Sequence, residues 1–335
     1  MKIYKLTNKN GVELKVISYG GRLTSLKVPD RNGNFENVVL NLEAPEDYLQ
    51  DNPFFGALIG RYSNRIAKGE FTLDGQKYTL AQNNTENHLH GGEKGFDKVM
   101  WSVKELSASN ALKLTYTSKD MEEGYPGKLD VVVMYKLNED NSLDLEYEAT
   151  TNKKTIVNLT QHSYFNLSGD FEEKVLDHRV EINADAFLPV DQSVIPTGEV
   201  RLVSNTAFDF RKPKTLGEHI MDADEQLRLA SGYDHTWILN ENGRGLRFAA
   251  SAVQPTSGRK LEVFTTEPGM QLYTGNWLDG SLPIPKTDKK YHKMTGFCFE
   301  TQHFPDSPNH SNFPSVVLEP GEIYRSKTSF RFSVE

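Results

Sequence analysis

The chain has 335 residues, of which 37% are hydrophobic and 10% aromatic, enough for a sizeable core in one large all-β domain or two ordinary domains. Its formal net charge of -8 argues against a nucleic-acid or anionic-membrane partner, since both call for a concentrated basic surface. A single cysteine, Cys298, excludes an internal disulfide and a thiolate-based metal site.

The amino terminus carries lysines but no apolar run of signal-peptide length, and no segment approaches the length that spans a membrane. We therefore expect a cytoplasmic protein without a membrane partner. The chain shows no composition shift, linker or internal repeat, so we expect one domain over residues 1–335.

The first part of the chain has the alternation of apolar and polar residues that is typical of β-strands, notably in residues 11–42. Residues 44–51 carry an early proline and acidic residues, which predicts a short helix that ends before Pro53. Nothing in this part suggests catalysis.

Residues 52–71 are an apolar segment that is interrupted by glycines and by a polar group with Asn64 and Arg65, before an Asp74-Gly75 hairpin signal. The guanidinium of Arg65 could clamp the oxygens of a polar ligand, or it could pair with a surface carboxylate. From this segment alone, the surface pair is favoured.

Residues 82–101 combine amide side chains, two histidines and a Gly91-Gly92 pair that would let the backbone approach a ligand closely. His88 and His90 would face the same side of a strand, and with Glu93 they resemble part of a cupin metal site. No further histidine completes that set. The alternative is a hydrogen-bonding histidine in a sugar site, for which His90 is the better candidate.

Further strands are predicted between residues 103 and 150, with a hairpin turn at residues 138–142. In residues 155–170 the one ionisable residue before the final aspartate is His162, within an apolar and aromatic strand. A lone histidine in such a setting is more often a hydrogen-bonded core residue than a catalytic one.

Residues 214–230 are the only stretch long enough for a sizeable helix, although Gly217 disfavours a continuous one. Asp234 follows beside aromatic residues, which suits a carboxylate that holds sugar hydroxyls, but aspartate also caps turns. Residues 261–277 predict two strands around a turn, and Gln271 is the polar residue there that best reaches a cleft.

Glu300 is the one carboxylate in the predicted strand at residues 296–305, GFCFETQHFP. Strand alternation places it on the face opposite Phe297 and Phe299. A glutamate on the wet face of an antiparallel sheet is the favoured interpretation of this strand alone. A covered face would instead raise the pKa of Glu300 toward the range of a general base.

The sequence contains two isolated titratable residues of different chemistry, Glu300 and His162. Their joint occurrence favours a catalytic interpretation over a structural one. A reaction at a sugar or carbonyl needs an acid and a base that face one cleft. Histidine, with an unperturbed pKa of about 6.5, is suited to donate a proton.

A final strand closes the chain, with alternating apolar residues up to Val334.

Over nearly its full length the chain resembles the aldose 1-epimerases, or galactose mutarotases. Five segments occur in the order of that family: GRYSNRI at 60–66, NHLHGGEKGFDK at 87–98, NLTQHSYFNL at 158–167, YDHTW at 233–237 and GFCFETQHFPDSPN at 296–309. The resemblance implies an all-β fold, one large antiparallel β-sandwich with few short helices. It also implies an active site without cofactor or metal.

The resemblance further implies a role for each matching residue. Glu300 is expected to be the general base, His162 the general acid, and His90 a helper that hydrogen-bonds the sugar. The expected sugar-binding residues are Asn64, Arg65, Asp234 and Gln271. His88 stands where family members vary and is left outside the catalytic set.

The expected reaction interconverts the α and β anomers of free hexoses such as galactose and glucose, by ring opening and reclosure. We expect a monomer or a weak dimer. Three other functions stay open: a non-catalytic carbohydrate-binding protein, a metal-dependent cupin-like isomerase and an epimerase of hexose phosphates. The last would need several basic residues at the site, and Arg65 is the one identified.

Overall fold

The computed structural model of the protein describes residues 1–240 and 245–335. Within these residues the chain is mostly β. Its strands, in chain order, are β1 (Ile3–Thr7), β2 (Glu13–Ile17), β3 (Leu23–Pro29), β4 (Phe35–Asn37), β5 (Ala57–Ile59), β6 (Arg65–Ile66), β7 (Glu70–Leu73), β8 (Gln76–Thr79), β9 (His88–Leu89), β10 (Ser102–Leu106), β11 (Ala111–Ser118), β12 (Leu129–Leu137), β13 (Ser142–Thr151), β14 (Thr155–Ile156), β15 (Thr160–His162), β16 (Arg179–Ile182), β17 (Ala186–Leu188), β18 (Arg201–Leu202), β19 (Lys214–Thr215), β20 (Asp234–Ile238), β21 (Arg247–Val253), β22 (Arg259–Thr265), β23 (Gly269–Tyr273), β24 (Asp279–Pro283), β25 (Lys290–His292), β26 (Cys298–Gln302), β27 (Val317–Leu318) and β28 (Tyr324–Val334).

Two antiparallel sheets form the main body. The larger has nine strands in the order β10-β11-β12-β13-β28-β22-β21-β16-β19, and the smaller has five in the order β18-β17-β20-β23-β26. A four-stranded sheet, β1-β2-β3-β4, is built from the amino-terminal residues. Short two-stranded pairs complete the described sheets.

The two main sheets share one hydrophobic core. Val263 and Phe330 of the nine-stranded sheet belong to the same buried cluster as Trp237, Leu272 and Phe299 of the five-stranded sheet. Each of these residues alternates along its strand with a residue that faces the other side, as the period-2 pattern requires. The predicted all-β sandwich is therefore confirmed.

Turn residues define the hairpins that the sequence predicts. Leu73 pairs with Gln76, so Asp74 and Gly75 form a two-residue turn between β7 and β8. Both turn residues have positive φ, 51° and 76°, as a primed turn requires. Leu137 pairs with Leu143 across the second predicted turn, which joins β12 to β13.

The helices are short. In the described chain there is one α-helix, α1 (Glu225–Ala230), and the 3₁₀ helices are Pro45–Leu49, Ala67–Gly69, Phe96–Lys98, Ser107–Ser109, Glu122–Gly124, Val175–Asp177 and Ser307–Asn309. The short helix predicted before Pro53 is confirmed. None of the helices in this part of the chain has the length and apolar character needed to cross a bilayer.

A helix through residues 214–230 is wrong for most of that stretch. Its first residues form β19, and helical backbone begins only after Asp224. The carboxylate of Asp224 accepts hydrogen bonds from the main-chain nitrogens of Gln226 and Leu227, which caps the helix at that point. Pairing of β19 with β16 and this internal cap override the helical propensity of the stretch.

Candidate active site

Glu300 lies in the middle of β26, the last strand of the five-stranded sheet. Phe297 and Phe299 point into the core between the sheets, whereas Glu300 points to the opposite face, as the alternation predicts. That face is not solvated, because Glu300 is only 2% exposed. The interpretation as a glutamate on a wet sheet face is therefore wrong.

His162 ends β15, which runs beside β26. The Thr160 hydroxyl donates to the Thr301 carbonyl at 2.9 Å, and Phe165 and Phe297 exchange two main-chain hydrogen bonds. These contacts place Nε2 of His162 at 3.6 Å from Oε1 of Glu300. The two isolated titratable residues of the sequence thus share one site.

Burial perturbs both members of this pair. It raises the pKa of Glu300 well above the usual carboxyl range; the charge of Asp234 adds to the shift, and Arg65 opposes it. Burial lowers the pKa of His162 to about 3, and a hydrogen bond to its own main chain opposes that shift. Both shifts favour the uncharged forms, a carboxylic acid beside a neutral imidazole. The other carboxyl oxygen of Glu300, Oε2, is buried without a hydrogen-bond partner among the described residues.

Cys298 lies on the far side of the His162 ring, with its Sγ at 3.6 Å from Nδ1. Burial raises the pKa of the Cys298 thiol well above its ordinary value, so the thiol stays protonated at neutral pH. Cys298 is therefore a packing residue rather than a nucleophile. The nitrogen of His162 that is directed at Glu300 is Nε2.

His90 follows β9 in a left-handed backbone conformation, with φ of 50°. The main-chain nitrogen of Asn64 donates to Nδ1 of His90 at 3.1 Å, and the His90 nitrogen donates to the Asn64 carbonyl at 3.1 Å. An amide N–H can only donate, so Nδ1 accepts and the proton of the neutral ring is on Nε2. Burial lowers the pKa of His90 well below its ordinary value. His90 is thus a fixed, neutral hydrogen-bond donor.

One group of described residues could hold a metal ion by residue type, because ligand atoms of His90, His162 and Glu300 lie within 4.8 Å of one another. A metal on Nε2 of His90 would require the ring proton on Nδ1. That proton would then face the N–H of Asn64, donor against donor. The Asn64 amide therefore opposes metal binding, and a metal-free site stays our prediction.

His88 does not share the site with His90. Its Nδ1 lies 2.8 Å from the Ala81 carbonyl oxygen and its Nε2 lies 2.6 Å from the Tyr125 hydroxyl. Burial lowers the pKa of His88 to about 4. The chain turns after Leu89, so the expected His-x-His face does not form.

The neighbouring glycines also differ from expectation. A Cβ at Gly91 would overlap the Gly60 carbonyl oxygen, and one at Gly92 would overlap the Glu123 carboxylate. Both glycines have positive φ. They are therefore required by close packing of the protein on itself, rather than by the approach of a ligand.

Arg65, in β6, and Asp234, at the start of β20, form a charged pair at the site. Nη2 of Arg65 lies 3.5 Å from Oδ2 of Asp234, and both side chains are nearly buried. Nε of Arg65 donates to Oδ1 of Asn84 at 3.2 Å, and Oδ1 of Asn64 accepts from the Arg65 main chain at 2.8 Å. The surface pairing considered for Arg65 is therefore replaced by a buried one.

Gln271 lies behind Asp234. Its Nε2 donates to Oδ1 of Asp234 at 2.6 Å, and its Oε1 accepts from the Thr236 hydroxyl. It is fully buried and is not on the wall of the cavity described next. A role in sugar binding would therefore be indirect, through Asp234.

A cavity of about 440 Å³ opens over this constellation, within the range of small-molecule sites. Its wall includes six of the predicted site residues, which are Asn64, Arg65, His90, His162, Asp234 and Glu300. These residues come from separate strands and loops. Long-range pairing therefore builds the site.

Sequence reasoning missed the other residues of the cavity wall. They are Pro53, Phe54, Asn84, Thr85, Leu89, Tyr164, Gln192, Ser193, Val194, Tyr273 and Trp277. Phe54 packs edge-on against His90, with ring centroids 4.6 Å apart. Trp277 is 56% exposed. The only signal for them was the richness of the segments in aromatic and amide residues, which does not say which side chains turn outward.

The chain matches the family model described as aldose 1-epimerase over residues 2–331. It is 50% identical over 323 residues to a galactose mutarotase of Bos taurus, covering 96% of this chain and 92% of the relative. It is also 37% identical over 336 residues to an aldose 1-epimerase of Escherichia coli K12, covering 100% of this chain and 96% of the relative.

Solved structures agree with these sequence matches. An aldose epimerase homologue from C. elegans superposes with a TM-score of 0.92 at 30% identity, covering 99% of both chains. A galactose 1-epimerase from Lactobacillus acidophilus superposes with a TM-score of 0.86 at 32% identity, covering 98% of this chain and 93% of the other.

Proposed function

Because the chain belongs to the aldose 1-epimerase family and is a mutarotase, we propose that it interconverts the α and β anomers of free hexoses with Glu300 and His162 as its acid–base pair. Galactose and glucose are the proposed substrates. The observation that carries the proposal is the 3.6 Å approach of the two side chains at the wall of a cavity of about 440 Å³.

In the proposed reaction Glu300 removes the proton of the anomeric hydroxyl while His162 gives a proton to the ring oxygen. The bond between C1 and the ring oxygen breaks, and the electrons of the O–H bond form the C1 carbonyl. The open-chain aldehyde rotates about the C1–C2 bond. The hydroxyl that was the ring oxygen then attacks the other face of the carbonyl, while His162 takes its proton back and Glu300 returns a proton to the oxygen on C1. Each proton transfer contributes a rate factor of about 10²–10⁴.

The pair changes its protonation state once in each half of this cycle. Glu300 as carboxylate and His162 as imidazolium act on the closed ring, and ring opening leaves a carboxylic acid and a neutral imidazole. The pKa shifts of the two groups favour that second, uncharged state. Both states carry the same number of protons, so the proton can pass between Nε2 and Oε1 as a sugar binds, and the pair titrates as one unit.

The surrounding groups have distinct proposed tasks. His90, held as a donor by the Asn64 amide, donates a hydrogen bond from Nε2 to a sugar oxygen. Arg65 and Asp234 offer a fixed donor and a fixed acceptor to ring hydroxyls. Gln271 holds Asp234 in place.

A hexose phosphate is a less suitable substrate. Among the described residues on the cavity wall, Arg65 is the one lysine or arginine, and Asp234 already pairs with it. A phosphate dianion would have to compete with that carboxylate. Free sugars are therefore favoured over phosphorylated ones.

A non-catalytic sugar-binding role does not account for the buried pair. A carboxyl oxygen that is buried without a partner costs free energy, and a site that only binds sugar has no need of it beside a histidine. A reaction that passes protons through this position does need it. The pair thus favours catalysis over binding alone.

The composition supports a further proposal, a cytoplasmic location, and we also propose a monomer or weak dimer in solution. The single buried cysteine suits a reducing compartment. Size-exclusion chromatography with light scattering at several protein concentrations tests the second proposal. A stable larger oligomer would contradict it.

Polarimetry on freshly dissolved α-galactose and α-glucose tests the proposed function directly. We expect purified protein to speed the approach to the equilibrium rotation well above the spontaneous baseline. Protein treated with a chelator should be equally active. A rate at the baseline for both sugars would contradict the function, and a loss restored by zinc or manganese would favour the cupin-like alternative.

A further inference from the structure

The last segment that carries the family resemblance continues beyond Glu300 into a loop that has no task in the proposed reaction. This loop, residues 304–309 with the sequence FPDSPN, is named the clamp loop. None of the described residues of the cavity wall belongs to it. Its contacts are instead with the segment that carries Asn64 and Arg65.

A buried tyrosine fixes the clamp loop beside that segment. The Tyr62 hydroxyl donates to the Phe304 carbonyl at 2.9 Å and accepts from the Ser307 nitrogen at 3.1 Å. Tyr62 is fully buried, so water does not compete for these two bonds. The clamp loop is therefore held next to the residue that stands two positions before Asn64.

Asp306 of the clamp loop bonds directly to β6 at two points. Its main-chain nitrogen donates to the Arg65 carbonyl at 2.8 Å, and its Oδ1 accepts from the Ala67 nitrogen at 2.9 Å. Successive residues of an extended strand direct their main-chain groups to opposite edges. The other edge of β6 pairs with β9. Asp306 thus takes the place of a neighbouring strand on the second edge.

Asp306 is itself held firmly. Its side chain is only 3% exposed, and its Oδ2 lies 3.1 Å from Nε2 of His310. The Asn309 side chain donates to its Oδ1 at 2.7 Å. Its φ of 56° is in the left-handed region, which aspartate adopts more readily than most residues. With both carboxylate oxygens bonded, Asp306 is a fixed point against which β6 rests.

The side chain of Arg65 reaches the cavity from this fixed base. Its guanidinium contacts Asp234 and Asn84 at the far end. A guanidinium presents its donors in a rigid fork, so a shift of about 1 Å at the main chain misaligns its hydrogen bonds. The position of the β6 main chain therefore decides where the donors of Arg65 meet a sugar hydroxyl.

We propose that Asp306 is a positioning residue for the sugar-binding residue Arg65. It acts through the main chain of β6 and does not touch the sugar. This proposal rests on the proposed mutarotase function and on the proposed task of Arg65. It predicts that loss of the Asp306 carboxylate weakens sugar binding, while Glu300 and His162, which lie on other strands, keep their reactivity.

The test measures KM and kcat for galactose by polarimetry. Asp306→Gly removes the carboxylate and suits the left-handed backbone. We expect KM to rise about tenfold with kcat within about threefold, since a lost hydrogen bond from a charged group accounts for about that factor. Asp306→Asn keeps an acceptor oxygen for the Ala67 nitrogen, so its KM should stay within about twofold of wild type.

Ala67→Pro breaks the same contact from the other side, because proline lacks the N–H that donates to Asp306. Ala67 is the first residue of a 3₁₀ helix, where proline is tolerated. Ile66 before it has an extended backbone, with φ of -124° and ψ of 122°, as a residue before proline prefers. KM should therefore rise as in Asp306→Gly, and this variant decides if Asp306→Gly does not fold.

His310→Ala is the matched control. It removes the partner of Oδ2 of Asp306 and leaves both bonds to β6 in place. His310 is not among the described residues of the cavity wall. We expect a lower melting temperature with an unchanged KM. If Asp306 contributed to stability alone, Asp306→Gly would give this same result.

A double-mutant cycle with Arg65→Ala separates positioning from a general loosening of the site. In wild type, Asp306→Gly should lower kcat/KM about tenfold. In the Arg65→Ala background it should change kcat/KM by less than about twofold, because the group that it positions is gone. A full tenfold fall in both backgrounds would overturn the proposal.

Galactose affinity, measured by tryptophan fluorescence through Trp277 on the cavity wall, separates this proposal from the proposed function. An affinity that is unchanged in both Asp306→Gly and Ala67→Pro would overturn the positioning role. Wild-type protein that binds galactose without speeding its mutarotation would instead refute the proposed function, and the affinities of the variants would still decide the role of Asp306.

Discussion

One glutamate–histidine pair has its histidine directly after β26 and a second includes a residue of that strand, and the two pairs differ in their hydrogen bonds and in the direction of their pKa shifts. In the first, Oε2 of Glu267 lies 2.6 Å from Nδ1 of His303, and Oε1 accepts from the Tyr324 hydroxyl at 3.1 Å. Burial lowers the pKa of His303, but the contact with Glu267 outweighs burial and raises that pKa. Burial raises the pKa of Glu267, but the charge of His303 and the hydrogen bonds to the carboxylate outweigh burial and lower that pKa. Both pKa shifts therefore favour the ionised forms of this pair.

The second pair, Glu300 and His162, has a separation of 3.6 Å and a carboxyl oxygen without a partner. Its pKa shifts run the other way and favour the uncharged forms of both groups. Glu300 and His303 are only three residues apart in the sequence.

The comparison separates a structural pair from a reactive one. Hydrogen bonds to both carboxylate oxygens of Glu267 stabilise the charges of the first pair. The second pair keeps unsatisfied atoms at a cavity and is poised to exchange protons with what enters it. Residue type is the same in both pairs and both glutamates are 2% exposed, although the His303 side chain is more exposed than that of His162, 23% against 5%. The hydrogen bonds of the two carboxyl groups are therefore the main difference between the glutamates.

The largest expected effect is that of Glu300→Gln. The amide has the shape of the carboxyl group but cannot accept the proton, so we expect turnover to fall by about 10⁴-fold. Stability should not fall, because the change removes a buried carboxyl with an unpartnered oxygen. Polarimetric rates and melting curves check both halves. Near-normal turnover would refute the assignment of Glu300 as the general base.

His162→Asn should cut turnover by about 10²–10³-fold, since an amide can hydrogen-bond the ring oxygen but cannot protonate it. A histidine that only fills the core would give a different result, a lower melting temperature with normal turnover of the folded protein. His90→Asn is the comparison. It should weaken sugar affinity as well as turnover, because a hydrogen bond to the sugar acts in the ground state too.

Glu267→Gln tests the structural pair. Without the Glu267 charge, burial lowers the pKa of His303 and the ring loses its proton, so the variant loses the charge-assisted hydrogen bonds of the pair, and we expect a loss of about 1–3 kcal/mol in the free energy of unfolding. Turnover of the folded fraction should change little. Denaturant unfolding and polarimetry on one preparation provide the check; a stable but inactive variant would show that Glu267 belongs to the catalytic machinery.

The pH dependence of stability should have opposite signs at the two histidines. His162 has a folded pKa of about 3, below its unfolded value of about 6.5. Below pH 6.5 the unfolded chain therefore binds a proton that the folded protein refuses. Because of this one residue, the free energy of unfolding falls by up to about 1.4 kcal/mol for each pH unit below 6.5. His162→Asn therefore gains stability relative to wild type as the pH falls.

His303 has a raised folded pKa, so its contribution is present below pH 6.5 and is lost as the pH rises through the folded value. Glu267 has a lowered pKa, so its contribution is lost as the pH falls below its unfolded value of about 4.5. The pair stabilises most between about pH 4.5 and 6.5. In that window His303→Gln should lose stability relative to wild type; melting temperatures from pH 4 to 9 that show the same sign for both variants would contradict the comparison.

The sequence predicts the reactive pair because each member is isolated in an apolar strand of period 2. The structural pair escapes the same reasoning. Glu267 stands before a proline and a glycine and has the pattern of a turn residue, and its partner lies 36 residues away, directly after β26. Pairing between distant strands decides that it is buried, and local pattern carries no information about such pairing.

Details of the site that depend on register were also out of reach. The tautomer of His90 is set by an amide 26 residues away, and the position of Gln271 behind Asp234 follows from the pairing of β20 with β23. The helix predicted over residues 214–230 was shortened by strand pairing and by the Asp224 cap. In each case a tertiary contact outweighed the local preference.

The smallest expected effect concerns Gln271, which the structure connects to the site only through Asp234. Gln271→Met removes the hydrogen bond to the carboxylate and keeps the volume, so Asp234 loses its orientation toward the sugar. We expect KM to rise about fivefold with kcat within a factor of two, because binding to ground state and transition state weakens equally. Thr236→Val, which removes only the hydroxyl that donates to Gln271, is the control and should change KM by less than twofold. A fall in kcat at constant KM would instead place Gln271 against the reacting atoms, and the reactive pair would then have a third partner.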